Sequence, residues 1–182
     1  MKLSKNFSLQ ELTKSDTAIR KDIDNTPNNP ELNNLTTLCN MVLQKVRDSH
    51  GVVTVTSGYR SPELNKAIGG STTSDHCKGC AADFEVPGLD NKDLAKWIID
   101  NLTFKQLILE FYKEGEPNSG WVHCSFEEGE NNNQVLRAVK EGKKTVYLKN
   151  LEWSKDWATT LAEEGLGWRD SFPCGSGWSA YW

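Results

Sequence analysis

The sequence predicts an α+β fold, and three observations carry the prediction. Val52-Val53-Thr54-Val55-Thr56 is a β-branched run, and such residues suit a pleated, half-buried surface. Leu32, Leu35, Leu38, Val42 and Val46 recur at helical spacing, which marks a single buried helix face. Segments of the two kinds follow one another without regular alternation, which favours α+β over a doubly wound sheet.

Taken in order, Ser8-Leu9-Gln10-Glu11 has the pattern of a capping box opening a short helix. Asp22 to Asn29 is rich in Asn, Asp and Pro and is expected to be a loop. Asn29-Pro30 supplies an N-cap and a first-turn proline for a helix running to about Asp48, which Gly51 stops. The strand Val52 to Thr56 follows, then a turn through Ser57-Gly58-Tyr59-Arg60. A short helix begins at Ser61-Pro62-Glu63 and ends at Gly69-Gly70. Ser71 to Cys80 is small and polar, without periodicity, and is expected to be a loop. Ala81 to Val86 is a second strand, and Asp90 to Leu102 a second long helix with Leu94, Trp97, Ile98 and Ile99 in its stripe. Gln106 to Tyr112 and Trp121 to Phe126 are strands joined by a loop holding Gly115, Pro117, Asn118 and Gly120. Thr145 to Leu148 is a short final strand.

The 182 residues fit one domain over 1–150 with a small appendage over 151–182. That appendage holds five of the seven tryptophans, one plausible helix from Ser154 to Glu164, and a Gly/Ser-rich tail. It is expected to pack on the domain, with display of aromatics to glycan as the alternative.

A hydrophobic fraction of 37% suffices for a core, and the net charge of −4 comes without any Lys/Arg cluster. The electrostatic footprint of a nucleic-acid binder is therefore missing. No run reaches the roughly 18 apolar residues of a membrane span. Met1 to Phe7 has no apolar core of signal-peptide length. The chain is expected to be made in the cytoplasm without a signal peptide, and to function as a monomer without nucleic-acid or membrane partners. Five cysteines, an odd number, argue against a disulfide framework.

Only three histidines occur, His50, His76 and His123. His76 lies in the loop of Ser74-Asp75-His76-Cys77-Lys78-Gly79-Cys80, and Asp83 follows at the start of a strand. His123 sits mid-strand in Trp121-Val122-His123-Cys124-Ser125. Two histidines and a carboxylate make a three-ligand set suited to a catalytic zinc, which keeps a fourth position open for water. The bland alternative is that each is a satisfied interior residue. Glu110 interrupts the apolar Leu107-Ile108-Leu109-Glu110-Phe111. A carboxylate there needs a partner or a cleft, and a hairpin register is allowed that puts it on the His123 face as a general base. A solvent-facing strand carboxylate is the alternative, with Glu114 and Glu116 in reserve. Arg60 can bind a carboxylate bidentately or form a surface salt bridge. A rival site uses His76, Cys77, Cys80 and Cys124 as a four-ligand structural centre, since Cys-x-x-Cys is a zinc spacing.

Together, Ser57-Gly58-Tyr59-Arg60-Ser61, Ser74-x-His76-x-x-Gly79-x-Ala81-x-Asp83 and Trp121-x-His123-x-Ser125 resemble the zinc D-Ala-D-Ala carboxypeptidase family. That family includes VanY-like carboxypeptidases, vancomycin-resistance dipeptidases and phage L-alanyl-D-glutamate endolysins. The resemblance covers roughly Phe7 to Leu148. Ser15-Asp16-Thr17-Ala18, Asp24-Asn25-Thr26-Pro27, and Val135 to Val139 leading to Thr145-Val146-Tyr147-Leu148 are similar to the phage and prophage branch. The resemblance implies a hedgehog-like fold, a small antiparallel sheet backed by helices. It implies zinc on His76, Asp83 and His123, Glu110 as base, Arg60 on a substrate carboxylate, and Ser74 orienting the substrate or a ligand. The implied substrate is the peptide of peptidoglycan, reached after release from the host cell. The alternatives are D-Ala-D-Ala carboxypeptidase activity and a non-catalytic, zinc-stabilised wall-binding or virion module.

Overall fold

The computed structural model describes residues 1–149. The tryptophan-rich segment over 151–182, its expected helix and its expected packing on the domain lie outside the described residues.

Helix starts follow local chemistry. Helix α1 (Leu9–Thr13) opens on a complete capping box: Ser8 Oγ accepts from the Glu11 amide, and the Glu11 carboxylate accepts from the Ser8 amide. A helix not expected from the sequence, α2 (Asp16–Lys21), is capped by Ser15. Helix α3 (Asn29–Leu38) is capped by Asn28, one residue earlier than expected, because Glu31 stands three residues on and closes a second capping box. A π-helical turn, Cys39–Leu43, joins α3 to α4 (Gln44–His50), so one long helical stretch runs up to Gly51. Strand β1 (Thr54–Ser57) starts later than its β-branched run. Helix α5 (Pro62–Ala67), strand β2 (Ala81–Glu85) and helix α6 (Asn91–Asn101) follow. Strands β3 (Gln106–Glu110), β4 (Trp121–Ser125), β5 (Gln134–Glu141) and β6 (Lys144–Lys149) complete the described chain.

The sheet has six strands in the order β1-β2-β4-β3-β5-β6. It is mixed, which corrects the expectation of an antiparallel sheet: β5, unexpected from the sequence, runs parallel to β3. The connection from β4 to β5 stays at one end of the sheet and steps around the start of β3. It is pinned there by the Asn133 amide on the Phe104 carbonyl and the Gln134 amide on the Lys105 carbonyl. The long crossover that usually joins consecutive parallel strands is unnecessary, because β4 and β5 flank β3.

One sheet face carries Ala82, Phe84, Leu107, Leu109, Val122 and Cys124, all buried. They form a single core with Leu94, Ala95 and Ile98 of α6 and with Leu35, Leu38, Val42 and Val46 of the long helical stretch. The opposite face, by the two-residue alternation of strands, carries Asp83, Glu110, Trp121 and His123. The helices thus lie behind the sheet and leave that polar face for chemistry. No helix among the described residues is long and apolar enough to cross a membrane.

Candidate metal centre

Backbone register brings the first two donors together. In the antiparallel β2–β4 pair, Asp83 lies directly opposite His123, so both side chains rise from the same face. The third donor comes from the 3-10 turn Asp75–Lys78, which Gly79 closes in the left-handed conformation (φ 72°). A Cβ on Gly79 would overlap the Glu31 carbonyl oxygen of α3, so the turn can press on that helix only with glycine there. The Asn34 side chain ties down the turn through the Lys78 carbonyl at 2.9 Å.

His76 is aimed by its backbone surroundings. Its Nδ1 lies 2.6 Å from the carbonyl oxygen of Gly58, which makes Nδ1–H the donor and leaves Nε2 as a lone-pair donor. Gly58 in turn abuts α1 so closely that a Cβ would overlap the Leu12 carbonyl. The Arg60 amide bonds the His76 carbonyl at 3.2 Å, so the turn after β1 cradles this histidine at both ring and backbone.

The three ligand atoms converge. His123 Nδ1 is 2.7 Å from Asp83 Oδ1, His76 Nε2 is 3.3 Å from the same oxygen, and the two nitrogens are 3.2 Å apart. A cation held tetrahedrally at about 2.0–2.1 Å would space its ligand atoms about 3.3 Å apart, so the set fits one ion with little rearrangement. All three side chains are buried, with 3%, 6% and 8% of the surface of His76, Asp83 and His123 exposed. A buried anion of this kind requires partners. Burial alone would raise the pKa of Asp83; the electrostatic interaction with His76, followed by the hydrogen bond from His123, outweighs it and holds the carboxyl below the ordinary range. Burial lowers the pKa of His76. For His123 the hydrogen bond to Asp83 overcomes the same burial and raises it.

Glu110 lies opposite Trp121 in the β3–β4 pair, with Ile108 opposite His123. It therefore stands on the metal face, diagonal to His123 at a Cα spacing of roughly 7–8 Å. Burial, with the Asp83 charge beside it, pushes its pKa up to about 7. That is the range in which a general base works best at neutral pH. Its position is fixed by features not read from the sequence. Phe111 turns the strand at φ 54°, an uncommon conformation for an aromatic residue, and its ring packs edge-on against Trp121 at 5.3 Å. Lys140 Nζ caps the same ring at 5.1 Å. Gly120 (φ 65°) lies against the Glu110 carbonyl, where a Cβ would clash.

Arg60 donates from Nη2 to Asp83 Oδ2 at 2.8 Å and from Nε to Ser57 Oγ at 2.9 Å. These two bonds fix the Asp83 carboxylate and the Ser57 hydroxyl relative to Arg60, whose side chain stays 19% exposed. The link was not legible beforehand, since 23 residues separate the pair. Ser74 heads the 3-10 turn, its carbonyl accepting from the Cys77 amide at 3.0 Å.

The four-ligand cysteine centre does not form among the described residues, where His76, Asp83 and His123 are the one group positioned to share an ion. Cys124 points into the hydrophobic core. Burial raises the pKa of Cys77 and pushes that of Cys80 up to about 11, so neither is a ready thiolate. Cys39, Cys77, Cys80 and Cys124 are free. A network also absent from the sequence reading, Lys105 with Asp75 at 2.9 Å and with Glu127 at 2.5 Å, ties the turn that bears His76 to the start of β3.

A protein-family model described as Peptidase M15 matches residues 5–125, two thirds of the chain and all three converging donors. No curated protein matches the chain.

Proposed function

Because this chain belongs to the Peptidase M15 family, we propose that it is a zinc-dependent peptidase that hydrolyses stem peptides of bacterial peptidoglycan. Within that class we assign it to the L-alanyl-D-glutamate endolysin type of phages and prophages, acting on the wall after release from the host. The observation that carries the reading is the buried His76–Asp83–His123 convergence with Glu110 on the same sheet face. The donor set, two imidazole nitrogens and one carboxylate oxygen, has the composition of a catalytic rather than a closed structural zinc site.

Zinc held by these residues supplies Lewis-acid polarisation of water and of the scissile carbonyl. Glu110 takes a proton from the attacking water and later delivers it to the departing amine. A carboxyl with its pKa near 7 can do both. Arg60 holds Asp83 in its ligating orientation, and the remainder of its guanidinium is assigned to a substrate carboxylate. Ser74, at the head of the His76 turn, is assigned to orienting the substrate.

The test is mass spectrometry of purified peptidoglycan digested by the wild type and by Glu110→Gln. The reading expects new L-alanine carboxyl and D-glutamate amino termini, and a rate reduced at least roughly 10²-fold in the variant at unchanged metal content. Release of terminal D-alanine alone would instead identify a carboxypeptidase. Equal turnover by the variant would remove Glu110 from the mechanism.

A further inference from the structure

The family match ends at residue 125, so β5 and β6 lie beyond it, yet both are hydrogen-bonded into the same sheet. Their register continues the row that holds Glu110. Glu110 is opposite Trp121 on one side and Ala138 on the other, and Ala138 is opposite Tyr147. Directly opposed residues share a face. Trp121, Glu110, Ala138 and Tyr147 thus form one line across four strands, on the face that bears Asp83 and His123. About two strand spacings of 4.8 Å separate the backbones of Glu110 and Tyr147. The residue between them in this row is Ala138, whose side chain is a single methyl group. Tyr147 is 40% exposed, which leaves it open to a ligand entering from solvent.

We infer that Tyr147 is a substrate-contacting residue whose hydroxyl donates a hydrogen bond to the carbonyl oxygen of the peptide bond being cut. This rests on the peptidase reading above. As water adds to the carbonyl carbon, the new C–O bond forms, the π electrons of the carbonyl move onto its oxygen, and the proton from water goes to Glu110. Tyr147 keeps its own proton throughout and stabilises the charge growing on that oxygen. When the C–N bond breaks, the carbonyl re-forms and Glu110 gives its proton to the amine. Two observations agree with this placement. Burial, followed by the charges of Glu110 and Asp83, raises the Tyr147 pKa, so the hydroxyl lies within electrostatic reach of both carboxylates and remains a donor. Within this row Trp121 Nε1 is buried and Glu110 is assigned to the proton transfer, which leaves the phenol to donate to the carbonyl oxygen.

Wild type, Tyr147→Phe and Glu110→Gln are compared on peptidoglycan fragments for kcat, KM and metal content, and for inhibition by a phosphinate mimic of the tetrahedral intermediate. Tyr147→Phe is expected to lower kcat roughly 10- to 10³-fold and to weaken phosphinate binding by a similar factor. KM should change little, and metal content and Tm should be retained. A kcat within about threefold of wild type, or a loss that accompanies loss of metal, would overturn the inference. If wild type cleaves, Glu110→Gln does not and Tyr147→Phe is normal, Tyr147 alone is wrong. If wild type cleaves no peptide, the peptidase reading fails and takes the Tyr147 assignment with it.

Discussion

Glu110 should weaken the metal-free fold at alkaline pH, and replacing it with glutamine should strengthen that fold. Its pKa is raised from 4.5 to about 7 by burial first and the neighbouring Asp83 charge second. At about 1.4 kcal/mol per pH unit, ionising it in the folded state costs up to about 3 kcal/mol more than in the unfolded chain. Glu110 is only partly buried, so solvent screening reduces this to roughly 1–3 kcal/mol. The sign follows from linkage. A carboxyl with a raised folded pKa contributes stability below about pH 4.5, and that contribution is lost as pH rises through about 7. Glu110→Gln carries no charge to bury, so after chelation of metal its Tm should exceed that of wild type at pH 8. The gain should be roughly 3–10 °C for a domain of this size and should vanish near pH 4.5. A bound cation near the carboxylate should shrink the difference. Thermal unfolding of both proteins across that pH range tests this. Equal Tm values at pH 8, or a gain independent of pH, would refute the reasoning.

Other perturbations follow from the same contacts. Arg60→Ala removes the guanidinium from Asp83 Oδ2 and should lower metal affinity roughly 10- to 100-fold, read by competition with a chromophoric chelator; unchanged affinity would deny Arg60 a positioning role. Gly58→Ala forces a methyl group into the Leu12 carbonyl and should cost roughly 1–3 kcal/mol. Chemical denaturation measures that cost, and a neutral effect would mean that α1 does not constrain the turn holding His76.

How much of this was legible in the sequence depended on whether the signal was local. The Asp83 and His123 strands were recognisable from composition, and their register then did the rest. Glu110 was legible because a carboxylate in an apolar strand is costly. Strand β5 was not: Val135 and Val139 flank Arg137 on one face, and Leu136 and Ala138 precede Lys140 on the other. Neither face is uniformly polar, so the two-residue alternation is blurred. Helix α2 escaped because Ala18 is its only buried residue. The choice of Asn28 over Asn29 as cap was decided by Glu31, a cue that the capping-box rule contains. Longer-range facts, the Arg60–Asp83 pair and the Gly58 carbonyl that aims His76, depend on the fold itself.

The central claim is that His76, Asp83 and His123 hold one catalytic zinc. Elemental analysis and peptidoglycan cleavage on the same preparations of wild type and His123→Ala test it most directly. The account predicts about one zinc ion per wild-type chain, lost together with cleavage in the variant. Zinc retained by His123→Ala at the wild-type level, or cleavage that persists without it, would contradict the account.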